Sequence, residues 1–177
     1  MPPQAKAFEV TGPLAAKLWM SSDTTDVDLF LALRLFDPAG KEVTFIGSND
    51  PRVPIGLGWL RASQRKLDPD KSRPHRPWHT HDEEQLLKAC EPVELDIEIW
   101  PTSIVVPPGY QLALNVRGRD YEVDGSDVAL PNAMYPMKGV GPFLHIDKDD
   151  RATAGRNTLH FAAGKQPYLL LPIIPQA

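Results

Sequence analysis

The chain has 177 residues, 42% hydrophobic and 24% charged, which suits one globular domain with a real core. Its net charge of -4 gives no electrostatic reason to expect nucleic-acid binding, and no apolar run approaches the ~20 residues of a membrane span. The single cysteine, Cys90, excludes an internal disulfide, and the start, MPPQAKAFEV, lacks the apolar segment of a secretory signal. We therefore expect one cytoplasmic domain over residues 1–177, with neither nucleic acid nor membrane as a partner.

Prolines separate short apolar segments that alternate with period 2. In the first, PLAAKLWMSS, one face carries Leu14, Ala16, Leu18 and Met20. In the second, DLFLALRLFD, the leucines at positions 29, 31, 33 and 35 share one face, while Phe30, Ala32, Arg34 and Phe36 share the other. Because the second segment is largely apolar on both faces, we expect a central strand covered on both sides.

A third segment, VELDIEIW, places three carboxylates at alternate positions, Glu94, Asp96 and Glu98. Val93, Leu95, Ile97 and Ile99 alternate with them. Paired carboxylates can serve acid–base catalysis or hold a metal, but they can also form the wet face of a strand. Strict alternation accounts for every acid without any chemistry, so the sequence favours the strand face.

One segment, THDEEQLLKA, is the candidate for a helix. Thr80 and Glu83 have capping-box spacing, and Pro92 would end the helix after two or three turns. About ten short strands and little helix otherwise predict an all-β fold, a two-sheet antiparallel sandwich. The long connections favour a jelly-roll or Greek-key path over a meander.

No motif of a catalytic nucleophile occurs. Ser48 lies in FIGSNDP and Ser126 in VDGSDVA, outside any G-x-S-x-G pattern, and there is no phosphate-binding or dinucleotide-binding glycine pattern. We therefore expect no catalytic residue in this chain and no cofactor, which leaves open whether it belongs to an enzyme.

Two polar clusters are weak candidates for a metal site, although we expect none. The first holds His79 and His81 in WHTHDEEQ, where a loop would splay two rings spaced two apart. The second, FLHIDKDDR, holds His145, Asp147 and Asp149; alternate aspartates suit calcium, but the turn glycine of a calcium loop is missing. Polar loops explain both clusters.

Three tryptophans, Trp59, Trp78 and Trp100, are weak candidates for binding a ligand such as a carbohydrate. In a sandwich, tryptophans more often fill the core or an interface. The sequence leaves both interpretations open.

Five segments in order carry a resemblance to a known family: TGPLAAKLWMSSDTTDVDLFLALRLFDPAGKEV, GWLRASQR, PVELDIEIWPTSIVVPPGYQLALNV, GPFLHIDKDDR and YLLLPIIP. Over about residues 8–175 the chain resembles the C-terminal domain of X-Pro dipeptidyl-peptidase and cocaine-esterase-like hydrolases. The resemblance implies a galactose-binding-like jelly roll that packs on an α/β-hydrolase domain and helps wall its substrate cleft. That domain carries the Ser-His-Asp triad, so no catalytic residue transfers to this chain.

The implied partner is therefore an α/β-hydrolase domain, in cis or in trans, with a homodimer as a further possibility. The alternative is a free-standing β-sandwich module that binds carbohydrate or another small ligand. The least favoured hypothesis is a metal-dependent enzyme built on His79 and His81.

Overall fold

The computed structural model describes residues 1–47, 50–123 and 149–175. Within these ranges the regular structure is almost entirely β-strand, with one 3-10 turn at Ala62–Gln64 and one four-residue helix, α1, at Asp150–Thr153. The strands are β1 Phe8–Ser22, β2 Asp28–Phe36, β3 Glu42–Val43, β4 Gly56–Arg61, β5 Val93–Val106, β6 Gln111–Arg117, β7 Asn157–Leu159, β8 Tyr168–Leu170 and β9 Ile173–Ile174.

The described strands form two antiparallel sheets, each built around one long strand. In the first sheet, β5 runs along one side of β1, and β7, β8 and β9 pair in turn with the other side. In the second sheet, β6 runs along one side of β2, and β3 and β4 share the other. Along the described strands, the chain crosses between the sheets four times: after β1, after β4, after β5 and after β6. The predicted all-β sandwich is confirmed.

The core is made by the faces that the alternation predicts. Leu14, Leu31, Leu33, Leu95 and Ile97 are each at most 1% exposed and belong to one apolar cluster between the sheets. The opposite face of β2 is covered as well, since Phe30 and Ala32 are 6% and 1% exposed. The expectation of a central strand that is covered on both faces is therefore confirmed.

The predicted helix over residues 80–89 is wrong, because this segment is an irregular loop. Its amides bond to distant backbone instead: those of Gln85, Leu87 and Cys90 donate to the carbonyls of Ser63, Thr25 and Ser22. Leu87 is 3% exposed and joins the core while its neighbour Leu86 stays exposed, so anchoring to the sandwich outweighs the local helix signal.

The two sheets come into close contact where β4 meets β5, a region we call the β4–β5 seam. A methyl group added at Gly58 would collide with the carbonyl oxygen of Glu98, and one added at Gly56 would lie 3.1 Å from Cγ2 of Ile99. Gly58 thus lets backbone pack on backbone at the seam, and Gly56 leaves room for the side chain of Ile99. Beside it, the β1 register shifts so that Trp100 and Pro101 occupy a bulge in β5.

Candidate docking surface

Two of the tryptophan candidates meet at the β4–β5 seam. The ring centroids of Trp59 and Trp100 lie 5.0 Å apart with an interplanar angle of 68°, an edge-to-face contact. Both side chains remain in solvent, with 38% of Trp59 and 62% of Trp100 exposed. The structure therefore brings residues of different sheets together into one exposed aromatic pair.

Local sequence explains why this pair points outward. In β4, Gly58 and Leu60 face the core, so the alternation places Trp59 on the outer face. In β5, Ile99 is fully buried and Trp100 follows it at the bulge. Because Gly58 has no side chain, the two strands come close enough for the indole rings to touch.

The acidic row on β5 is one face of a strand, and it is partly neutralised by a lysine. Lys17 lies directly opposite Asp96 in the register and forms ion pairs with Glu94 and with Asp96, the latter at 3.1 Å. Burial alone would lower the pKa of Lys17, but hydrogen bonds to the two carboxylates outweigh burial and raise it. Two of the three carboxylates on β5 therefore stabilise the charged form of Lys17 on the neighbouring strand β1.

The third tryptophan, Trp78, has different neighbours. The ammonium nitrogen of Lys71 and the guanidinium carbon of Arg76 each lie 5.4 Å from its ring centroid. Trp78 is 41% exposed and belongs to the long connection between β4 and β5. Its ring contacts are cation–π contacts, unlike the aromatic contact of the seam pair.

The two candidate histidines lie near each other but bond in different directions. Their ring centroids are 6.0 Å apart; Nε2 of His79 lies 3.0 Å from the backbone oxygen of Asp96, and Nδ1 of His81 lies 3.3 Å from Oε1 of Gln64. Burial lowers the pKa of His79, so a neutral ring donates to the Asp96 carbonyl. Within residues 1–47, 50–123 and 149–175, no group of three or more His, Cys, Asp or Glu side chains gathers in a metal-binding arrangement.

The second candidate cluster lies mainly outside the described residues, since these do not include His145 and Asp147. Asp149 is described, and it caps α1 by accepting from the amide of Arg151. The hydrogen bond from the Arg151 side chain lowers the pKa of Asp149. Asp149 also lies 3.7 Å from the guanidinium of Arg61, so its structural neighbours are cations.

Sequence reasoning missed a serine–histidine contact on the first sheet. Oγ of Ser21 lies 2.9 Å from Nε2 of His160, a nucleophile-to-base distance, although 139 positions separate the two in the chain. Ser21 is only 6% exposed, which leaves its hydroxyl little access to a substrate. The contact joins β1 to the residue after β7, and no local signal could have shown it.

Sequence reasoning also missed a polar clamp on the second sheet. Arg34 forms a bidentate pair with Glu42, and the Tyr121 hydroxyl donates to the same carboxylate at 2.8 Å. Burial, together with the hydrogen bond and charge of Glu42, raises the pKa of Tyr121 to about 12. The clamp ties the segment after β6 to β2 and β3.

A shallow depression of about 510 Å³ lies along the β7–β8 connection. It is lined by Phe161, Ala162, Ala163, Lys165, Gln166 and Pro167. None of the tryptophan candidates lines it. The exposed indole pair at the β4–β5 seam is consequently the better candidate for a contact surface.

Comparison with known proteins identifies the family. The chain matches, over residues 1–170, the family described as the X-Pro dipeptidyl-peptidase C-terminal non-catalytic domain, and it belongs to that family. The resemblance found in the sequence is thereby confirmed. No curated protein matches the chain significantly.

Solved structures agree with this assignment. Two crystal structures of a CocE/NonD family hydrolase from Staphylococcus aureus are 28% identical to the chain, with TM-scores of 0.77 and 0.79. They cover 97% and 98% of this chain, whereas the chain spans only 29% of theirs. An α-amino acid ester hydrolase, 13% identical with a TM-score of 0.60, shares the fold over 97% of this chain and 24% of its own.

Among the described residues, no helix is both long and apolar enough to cross a membrane.

Proposed function

We propose that this non-catalytic domain packs on an α/β-hydrolase domain through the β4–β5 seam and helps to wall that domain's substrate cleft. The observation that supports the proposal is the exposed contact of Trp59 with Trp100. The matching region is only 29% of the S. aureus hydrolase chains, so a domain of this family occurs there within a much larger polypeptide.

The energetics of exposed indoles favour a protein partner. A tryptophan buries about 150–250 Å² when it is fully covered, and tryptophans are enriched among residues that dominate binding energy. Burying apolar area gives about 25 cal/mol per Å² before the costs of association. Covering both rings would therefore contribute a substantial share of the binding free energy.

The seam also holds the pair in place before binding. Backbone packing at Gly58 brings the strands together, and the mutual contact of the rings restricts both side chains in the free chain. Association then costs little side-chain entropy, which is the usual advantage of a preorganised contact.

A free-standing module that binds carbohydrate is the alternative function. Stacking a sugar on two rings needs a flat shared surface, but Trp59 and Trp100 meet at 68°, with the edge of one ring against the face of the other. An edge-to-face pair that presents no shared flat surface suits apolar contact with a protein better than stacking on a sugar ring. We therefore favour the accessory-domain function.

The test uses the α/β-hydrolase region encoded with this chain, in the same or a neighbouring reading frame. We expect the two parts to bind each other, and we expect removal of the domain to change KM for an ester or X-Pro substrate. Trp59→Ser combined with Trp100→Ser should weaken binding at least tenfold, which corresponds to about 1.4 kcal/mol.

Phe161→Ser is the matched control, since it also removes an exposed aromatic ring but one that lies on the β7–β8 connection, outside both the seam and the β4–β5 connection. A seam variant that binds as tightly as the native chain would overturn the proposal, as would the absence of any encoded hydrolase region. Sedimentation at several concentrations tests the proposed homodimer, in which the same apolar pair would be covered by a second copy.

A further inference from the structure

The connection between β4 and β5 contains an ordered, positively charged hairpin over residues 67–79, which we call the basic hairpin. Its base is closed by a bridge between Leu67 and His79, and Arg73 and Arg76 exchange backbone hydrogen bonds near its tip. Ser72 accepts from the amide of Trp78 at 3.0 Å, which links the two arms. The hairpin therefore presents its side chains from a defined backbone.

Two arginines near the tip have no carboxylate partner among the described residues. Arg73 and Arg76 are exposed and form no ion pair with any described residue, while Arg73 donates to the carbonyls of Asp70 and Ser72. Lys71 pairs with Asp68 at 3.4 Å and remains largely in solvent. Lys71, Arg73 and Arg76 outnumber Asp68 and Asp70, so the hairpin is net positive in a chain whose net charge is -4.

Two of the cations contact one aromatic ring. The head groups of Lys71 and Arg76 each lie 5.4 Å from the centroid of Trp78, and these cation–π contacts help to orient them. A guanidinium has a planar fork of donors that matches a carboxylate, so oriented arginines suit an acidic protein surface.

The base of the hairpin is tied to the strand that carries the seam. His79 bonds to the backbone oxygen of Asp96 in β5, and Trp100 follows four positions later in the same strand. Four residues of strand span about 13 Å, so the base of the hairpin is attached to β5 about that far from Trp100. Both features can therefore face one partner.

We propose that the basic hairpin binds a carboxylate-rich surface of the α/β-hydrolase domain, as the polar flank of the contact made by the seam. The inference rests on the proposed function, because it concerns the same partner. It adds the chemistry of the partner's surface and assigns Arg73 and Arg76 as the residues that recognise it.

The test measures association of the chain with its encoded hydrolase region at low and high salt. Arg73→Glu combined with Arg76→Glu should reduce the association rate about tenfold or more at low ionic strength, since steering by charge acts mainly on that rate. The difference should largely vanish near 1 M salt, where the screening length is about 3 Å.

The matched control is Lys6→Glu combined with Lys41→Glu, which changes the net charge equally at exposed cations outside the hairpin. Thermal unfolding checks that each variant folds. The single variant Arg76→Glu is tested as well, because it leaves the hydrogen bonds from the Arg73 guanidinium to the carbonyls of Asp70 and Ser72 in place. Equal slowing by the control and hairpin variants would overturn the inference, and so would binding to the native chain that is independent of salt.

Two outcomes separate this inference from the function on which it rests. Loss of binding in the seam variant alone, with no effect of the hairpin variant, supports the proposed function and overturns the hairpin's role. Salt-sensitive self-association that disappears in the hairpin variant, without binding to the hydrolase region, would assign the hairpin to a second copy and would overturn both.

Discussion

At the scale of single residues, Gly58 controls how closely the two sheets approach. A methyl group there would collide with the Glu98 carbonyl and lie 3.0 Å from Cγ1 of Ile99, so backbone has to move to make room. We expect Gly58→Ala to lower the free energy of unfolding by about 1–3 kcal/mol, as overpacking usually does. Urea unfolding curves of the native chain and the variant measure the change.

Gly118→Ala provides the matched control, because nothing lies within 4 Å of a methyl group added there. Its effect should stay within about 0.5 kcal/mol. If the two alanine variants unfold at the same urea concentration, the close packing of β4 on β5 is wrong, and with it the preorganisation of the indole pair.

At the scale of elements, the clamp of Arg34, Glu42 and Tyr121 joins β2, β3 and the segment that follows β6. Burial opposes ionisation of Glu42, but hydrogen bonds from Arg34 and Tyr121 outweigh it and lower its pKa below the ordinary value of 4.5. A depressed pKa in the folded state stabilises the fold above the unfolded-state pKa, and this contribution is lost as pH falls through the folded value.

We therefore expect Glu42→Gln to destabilise the chain more at pH 7 than at pH 3. Urea midpoints at the two pH values measure this, with Glu91→Gln at an exposed carboxylate as the control. A destabilisation by Glu42→Gln that is equal at both pH values would show that the ionised clamp does not contribute.

The same elements show what sequence can predict. The faces of β5 follow from alternation, because burial on one side leaves a period-2 pattern, whereas the burial of β2 on both sides shows as a nearly continuous apolar run. The capping-box pattern at Thr80 failed because it describes only local bonds, whereas the amides of Gln85 and Leu87 bond to distant carbonyls. Local sequence patterns therefore predict structure poorly for a loop whose backbone hydrogen bonds go to distant strands and turns of the sandwich.

The candidate surface was only partly predictable for a related reason. Trp59 and Trp100 are visible in the sequence as candidates, but their contact depends on two sheets meeting at Gly58. The basic hairpin reads as an irregular loop rich in proline, and its order comes from bonds such as that between Ser72 and Trp78. Contacts between segments distant in sequence leave no periodic record.

At the scale of the whole molecule, we expect the isolated chain to have no hydrolase activity. Its family is described as non-catalytic, and the Ser21–His160 contact is too buried to serve a substrate. Purified chain assayed with p-nitrophenyl acetate and an X-Pro anilide should show no turnover above buffer. Turnover that survives repurification and disappears in Ser21→Ala would show that this contact is catalytic after all.

The position of β1 at the centre of the first sheet has a consequence for the order of folding. Glu9 and Val10 pair with Ile174 and Ile173, so one side of β1 cannot be completed until residues from the far end of the sequence are available. Contacts of such long separation slow folding, and they leave a strand edge open to wrong pairing in the meantime. Because β1 precedes β9 in this domain, one side of β1 stays unpaired during synthesis until β9 has been made, and this interval exposes the nascent domain to aggregation.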